Sequence, residues 1–242
     1  MDDGGYRRPS KHIRRGPPPT VAAFVSVIGF LAAVSLVVIA AWLRITRRPY
    51  VVLESSMAPA IFVGDEIHAD TSAFGLRLLL VGSVRAKSEP ERGDVVVMTV
   101  PPSRMRAIVV RVVAIGGDDV QVFSDGSVDI QGKPLSWCSM GTWPTGRDPN
   151  GKSDGRRAFV EWNGAEAYVV LQGNEEQSGG MCVDAPCQVP PGYVYALGDN
   201  RADSDDSRHW GFVAVEHLVG KVVDVRVPDD MPAWNECIAR NE

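Results

Sequence analysis

The chain has 242 residues, with 25 Lys and Arg against 30 Asp and Glu, a formal net charge of −5 with its four histidines neutral. Residues 1–48 hold eight basic and two acidic side chains, which leaves 17 basic against 28 acidic, or −11, in the remainder. That balance argues against nucleic acid as a partner and suits solubility outside the cell, although the same balance also serves plain solubility.

The first element read along the chain is the run Val21–Leu43, 23 residues without a charge. At 1.5 Å per residue it exceeds the hydrocarbon core of a bilayer, about 30 Å, so it is predicted to span as a transmembrane helix. A cleaved secretory signal has a shorter apolar region, about 7 to 15 residues, and a small-x-small site, whereas Leu43-Arg44-Ile45 follows here. An uncleaved anchor is expected. Arg7, Arg8, Lys11, Arg14 and Arg15 precede the span and Arg44, Arg47 and Arg48 follow it. Five against three favours an inside N-terminus. The organisation predicted is a basic cytoplasmic segment over 1–20, the span over 21–43, and an extracytoplasmic domain over 49–242.

About 190 residues beyond the anchor suffice for one domain with a sizeable core. Their pattern is strand-like. Asp94–Val100, Ile108–Ile115, Tyr193–Leu197 and Lys221–Val227 are β-branched or aromatic runs of strand length, punctuated by Gly, Pro and Asp. Val120–Phe123 and Ser127–Ile130 flank Asp125-Gly126, a pair favoured in tight hairpin turns. The fold expected is mainly β, an antiparallel sandwich or partly closed barrel, with no long amphipathic helix after the anchor. From about 133 to 189 the chain loosens into Gly, Pro, Asn, Ser and Trp, with Phe159–Trp162 and Tyr168–Leu171 the only strand-like stretches. This reads as a loop-rich insertion, packed down by Trp137, Trp143 and Trp162.

Four cysteines are present. Cys182 and Cys187 bracket a turn-prone Val-Asp-Ala-Pro, so a local disulfide is expected in an oxidising compartment, whereas Cys138 and Cys237 cannot be paired from sequence. His12, His68, His209 and His217 do not combine with these cysteines into a metal-ligand pattern, and no metal or cofactor is expected.

Ser56, in Glu54-Ser55-Ser56-Met57-Ala58-Pro59, lies thirteen positions past the span on a predicted turn. A serine hydroxyl becomes a useful nucleophile only when a neighbouring base takes its proton and donors meet the developing oxyanion. By itself it reads equally as a turn serine. A longer motif, Gly198–Gly211, follows an apolar strand, and within it Ser204, Asp206 and Arg208 alternate with period two. If extended they share one face, with Asp206 and Arg208 as an ion pair beside the Ser204 hydroxyl.

With these residues in view the chain resembles the type I signal peptidases, membrane-anchored serine proteases that remove signal peptides from exported proteins. The resemblance covers the anchor, Ser56-Met57-x-Pro59 with Gly64-Asp65, Arg92–Val96, Arg111–Asp118, the hairpin and the Gly198–Gly211 block. It implies a β-rich catalytic domain outside the cytoplasmic membrane, Ser56 as nucleophile, and supporting roles for Ser204, Asp206 and Arg208. Small residues before the cut are implied too. Two positions depart from the pattern. The family's general-base lysine immediately precedes the arginine of the Arg-Val-Val segment, and here that position is Val110. Arg111 is no substitute, because a guanidinium stays protonated. Two residues before the nucleophile, where many members carry a serine that binds the oxyanion, stands Glu54, which leaves the Ser56 backbone N–H as donor. Other groups weighed as base are Lys87 and His209, the latter facing away from Ser204 and Asp206 by alternation.

Two functions from different classes follow. One is a signal-peptide endopeptidase whose base is unusual or comes from a partner. The other is a relative without turnover that binds exported or signal-peptide segments at the bilayer and modulates a true peptidase. A plain membrane-tethered β domain is the third reading.

Overall fold

A computed structural model describes residues 19–74, 77–78, 82–83, 88–99, 107–144, 146, 148, 155–173, 179–183, 185–225 and 231–241. The chain divides into two units, Met1–Ile45 and Thr46–Glu242.

In the first, helix α1 (Pro19–Thr46) runs beyond both ends of the apolar stretch. Its segment Ala23–Trp42 has a mean hydropathy of 2.7 and no residue buried by protein, so by length and composition it can cross a membrane. Phe24, Leu36 and Val37 are each about two-thirds exposed, as a lipid-facing surface requires.

The second unit is mostly β. In chain order its strands are β1 (Arg47–Val51), β2 (Glu66–Asp70), β3 (Arg77–Leu78), β4 (Gly82–Ser83), β5 (Val95–Thr99), β6 (Ala107–Ile115), β7 (Asp119–Val122) and β8 (Val128–Ile130). There follow β9 (Lys133–Pro134), β10 (Ser136–Thr142), β11 (Arg157–Asn163), β12 (Glu166–Gln172), β13 (Cys187–Gln188), β14 (Tyr193–Leu197), β15 (Val213–Ala214) and β16 (Leu218–Val222). Two helices join them, α2 (Ser207–Trp210) and α3 (Pro232–Asn241). A seven-stranded sheet in the order β1-β2-β16-β5-β6-β14-β15 is the backbone of the domain, and all its pairings are antiparallel. β5 and β6 lie at its centre because their β-branched side chains are buried on both faces. Val95, Val97 and Val109 pack with Met57, Ala60 and Ile61 on one side, and Val96, Val110 and Val112 with Val194 and Ala196 on the other.

The hairpin β7–β8 is present, but its turn is wider than the two residues Asp125-Gly126 suggest. Phe123 N–H donates to the Ser127 carbonyl and Gly126 N–H to the Phe123 carbonyl, while Asp125 Oδ1 accepts from the Ser127 N–H. This hairpin belongs to a sheet in the order β13-β7-β8-β9, so both ends of the 133–189 stretch join it. Between them β10, β11 and β12 form a three-stranded sheet. β10 is a strand the sequence reading lacks: Ser136–Thr142 has few β-branched residues, and its bulge between Ser139 and Gly141 breaks the alternation. Trp143 is buried against this sheet, Trp162 packs on the same cluster, and Trp137 stacks 4.9 Å from Phe159. The expected strand Lys221–Val227 instead occupies Leu218–Val222, the window in which alternate residues are buried. Gly220 lies so close to the Asp70 carbonyl that a side chain does not fit there. Disulfides join Cys182 to Cys187 and Cys138 to Cys237. The second ties α3, an element the sequence reading also lacks, to β10.

Candidate active site

Ser56 sits on a turn built between two anchors. Val52 N–H donates to the Asp65 carbonyl at 2.9 Å and Gly64 N–H to the Val52 carbonyl at 2.8 Å, closing the loop at its neck. Gly64 has φ +92°, a conformation that favours glycine. Past Ser56, Met57, Ala60 and Ile61 are buried against β5 and β6, so the serine is fixed by its own neighbours and is only 7 % exposed.

The Gly198 block reaches the same place from the end of β14. Asn200 clamps the turn twice, its backbone N–H donating to the Ser56 carbonyl at 2.9 Å and its Nδ2 to the Ser55 carbonyl at 3.0 Å. Ser55 Oγ donates to Asp203 Oδ2 at 2.6 Å. Gly198 packs so tightly here that a Cβ would run into both Ser204 Oγ and the Ser56 carbonyl oxygen. Ser56 and Ser204, 148 positions apart, therefore meet at one point. Ser204 Oγ is buried and, among the described residues, has no hydrogen-bond partner.

Three buried guanidinium–carboxylate pairs hold the block in place. Asp199 takes a fork from Arg111, Nε and Nη2 each at 2.7 Å, while Arg111 Nη1 donates to the Gly93 carbonyl. Arg201 Nη2 donates to Glu161 Oε1 at 2.6 Å, and Glu161 also accepts from the Tyr168 hydroxyl and Trp137 Nε1. Asp206 accepts from Arg208 Nε at 2.8 Å and Nη2 at 2.7 Å, and from the Gly198 N–H at 3.1 Å. Desolvation alone pulls the Arg111 guanidinium down, but the charge and hydrogen bonds of Asp199 outweigh it and hold Arg111 above its ordinary value. Burial, reinforced by the charge of Glu161, pushes the Tyr168 hydroxyl well up. Both stay protonated, and neither is a base.

The expected geometry of Ser204, Asp206 and Arg208 requires a correction. They do not share the face of an extended strand, because Asp206 caps α2 by accepting the Arg208 N–H, and Arg208 lies inside that short helix. The Asp206–Arg208 pair exists, made by a helix turn. An aspartate two residues before a helical arginine is a capping signal that could have been read from the sequence. Sequence reasoning also passed over the roles of Asn200, Asp199 and Glu161, whose bonds to Ser55, Arg111 and Arg201 reach across 145, 88 and 40 positions of chain.

Of the other sequence candidates, Glu54 is partly buried, and His209 is 63 % exposed, 3.6 Å from Asp205. Lys87 lies outside the described residues, as do Lys11 and Lys152. Lys221 pairs with Asp94, and Lys133 is exposed on β9.

A family model described as "Signal peptidase, peptidase S26" matches residues 22–226. The chain belongs to this signal peptidase family. Signal peptidase I of Pseudomonas fluorescens is 31 % identical over 189 residues, which covers 74 % of this chain and 64 % of that protein. The chain thus spans just under two thirds of the length of that relative. Signal peptidase I of Aquifex aeolicus is 27 % identical over 215 residues, 77 % of this chain and 78 % of the relative. That of Mycobacterium tuberculosis is 26 % identical over 246 residues, 85 % and 73 % respectively. A crystal structure of a signal peptidase I from Enterococcus faecalis is similar at 24 % identity and a TM-score of 0.34, covering 56 % of this chain and 98 % of that one.

Position 110, where the resemblance to the family leads one to expect a lysine, holds Val110. β14 pairs with β6 through Ala196 opposite Val112 and Leu197 opposite Arg111, and Gly198 follows directly on the end of that pairing. Val110 directly precedes Arg111 on β6. It is 1 % exposed and packed among apolar neighbours. Among the described residues, no hydrogen bond involves the Ser56 hydroxyl.

Proposed function

We propose that this chain is a membrane-anchored serine endopeptidase acting on signal-peptide-bearing preproteins, with Ser56 as nucleophile and the Ser56 backbone N–H as oxyanion donor. The observation that carries the reading is the meeting of Ser56 with Gly198 and Ser204 on a turn clamped by Asn200, inside a chain that belongs to the signal peptidase family. Ser204, Asp206 and Arg208 act as its support: Asp206 and Arg208 fix the segment, and Ser204 presents a buried hydroxyl that, among the described residues, has no hydrogen-bond partner and can bond a reacting group. Val110 offers no proton acceptor, so turnover is slow. Supplying an amine by Val110→Lys raises it by about 10² to 10⁴, the usual worth of a positioned general base.

We place α1 across the cytoplasmic membrane, with the N-terminus on the inner, cytoplasmic side and the main domain outside. The basic excess before the span supports this, as do two disulfides, which persist in oxidising compartments. The partners are then preproteins and the bilayer that α1 spans.

The test uses detergent-solubilised full-length protein and a preprotein substrate, comparing wild type, Ser56→Ala and Val110→Lys. Slow cleavage by wild type, lost in Ser56→Ala and accelerated in Val110→Lys, is the expected pattern. Equal cleavage by wild type and Ser56→Ala refutes the assignment of the nucleophile. The hydrocarbon at position 110 favours a second reading, a relative that binds signal-peptide segments without cutting and modulates a true peptidase. An inert wild type that still binds such a segment selects it.

A further inference from the structure

The turn carrying Ser56 is gripped from two sides. On one side Asn200 bonds the Ser55 and Ser56 carbonyls. On the other, Ala58 and Phe62, two and six positions beyond Ser56, share a buried apolar cluster with Met231, Trp234 and Cys237. Trp234 also lines a cleft whose wall includes Pro59 and Ala60 of the same turn. These C-terminal residues are spaced by three, so they fall on one side of α3 and its lead-in. Helices shorter than about 12 to 15 residues are marginal in water on their own, and α3 has ten. Its place therefore depends on this apolar side and on the Cys138–Cys237 disulfide, which fastens it to β10 across 99 positions of chain.

We propose that α3 is a positioning element for the nucleophile: Trp234, kept in place by the Cys138–Cys237 bond, wedges residues 57–62 so that Ser56 stays beside Gly198 and Ser204. The consequence for activity rests on the proposed role of Ser56, whereas the consequence for the turn does not. In that turn Ala58 N–H bonds the Ser55 carbonyl and Ile61 N–H the Met57 carbonyl, so amide exchange reports its opening directly.

The experiment measures hydrogen–deuterium exchange and preprotein cleavage on the full-length, detergent-solubilised chain under non-reducing conditions. The proteins compared are wild type, Cys138→Ser/Cys237→Ser, Trp234→Ala, Trp234→Phe and, as control, Cys182→Ser/Cys187→Ser. Exchange over 57–62 is expected to rise by about tenfold or more in the first double variant and in Trp234→Ala, as a locally weakened unit requires, with β6 unchanged. Trp234→Phe restores most of the protection, and the control pair leaves 57–62 as in wild type. Cleavage falls in kcat with KM kept. Faster exchange in α3 with 57–62 unchanged overturns the proposal, and so does equal loosening by the control pair. An inert wild type counts against the activity and leaves the exchange comparison readable. If the first double variant does not fold, Trp234→Ala with its disulfide intact carries the same comparison.

Discussion

Replacing Asp206 by alanine tests whether the Gly198 block is held by its ions. Asp206 is fully buried and its carboxylate accepts four hydrogen bonds, from Arg208 Nε, Nη2 and backbone N–H and from Gly198 N–H. Alanine deletes every acceptor and leaves the Arg208 charge, 4 % exposed, without its carboxylate. Breaking a buried ion pair by removing one partner costs about 3 to 5 kcal/mol. In a domain of this size each kcal/mol moves the melting midpoint by about 2 to 4 °C, so a fall of about 6 to 20 °C is expected. Asp206→Asn keeps the shape and one acceptor oxygen and should fall between wild type and Asp206→Ala. The assay is thermal unfolding followed by near-ultraviolet circular dichroism, so that loss of tertiary packing is seen apart from α1. Because the Gly198 N–H is one of the four donors, the loss extends to Ser56, and cleavage should drop with stability. A midpoint in Asp206→Ala within a degree of wild type would refute the claim that this pair holds the segment.

Other outcomes follow from the same geometry. Gly198→Ala drives a methyl into the Ser56 carbonyl and Ser204, and should cost about 1 to 3 kcal/mol and abolish cleavage; wild-type activity in that variant contradicts the close approach. Ser204→Ala removes a hydroxyl that has no partner among the described residues, so stability should hold or rise slightly while cleavage falls, and a marked loss of stability shows that the hydroxyl is structural. Desolvation raises the Asp118 carboxyl, but its bonds to Arg92 prevail and hold it below its ordinary value. A depressed carboxylate contributes stability above its unfolded pKa and loses it as pH falls through the folded one. The melting gap between wild type and Arg92→Ala should therefore be full at neutral pH and close below about pH 4, and a gap constant down to pH 2 excludes the pair as its source.

How much of this was legible in the sequence depends on where each signal resides. β5, β6 and β14 announce themselves because a strand buried on both faces needs an unbroken run of β-branched or aromatic residues, and such runs are local. β10 is hidden for the opposite reason: half exposed, with Ser, Cys and Gly at its bulge, it is a strand only because β11 lies beside it. The 207–210 turn shows two local rules in conflict, the alternation of Ser204, Asp206 and Arg208 against the capping power of Asp206, and the cap prevails. Val110 could be singled out by its place before Arg111. The clamp by Asn200 and the pairing of Arg201 with Glu161 could not, since nothing near either residue in the chain records its partner.

The three buried ion pairs also bear on how this domain comes together. Each guanidinium leaves water on favourable terms only when its carboxylate arrives with it, and the pairs reach into β6, β11 and the Gly198 block alike. A half-assembled domain would carry a naked ion in a dry interior. Forms in which only one partner of a pair is in place are therefore scarce at equilibrium, so the Gly198 block and the strands it binds are expected to come together rather than one after another.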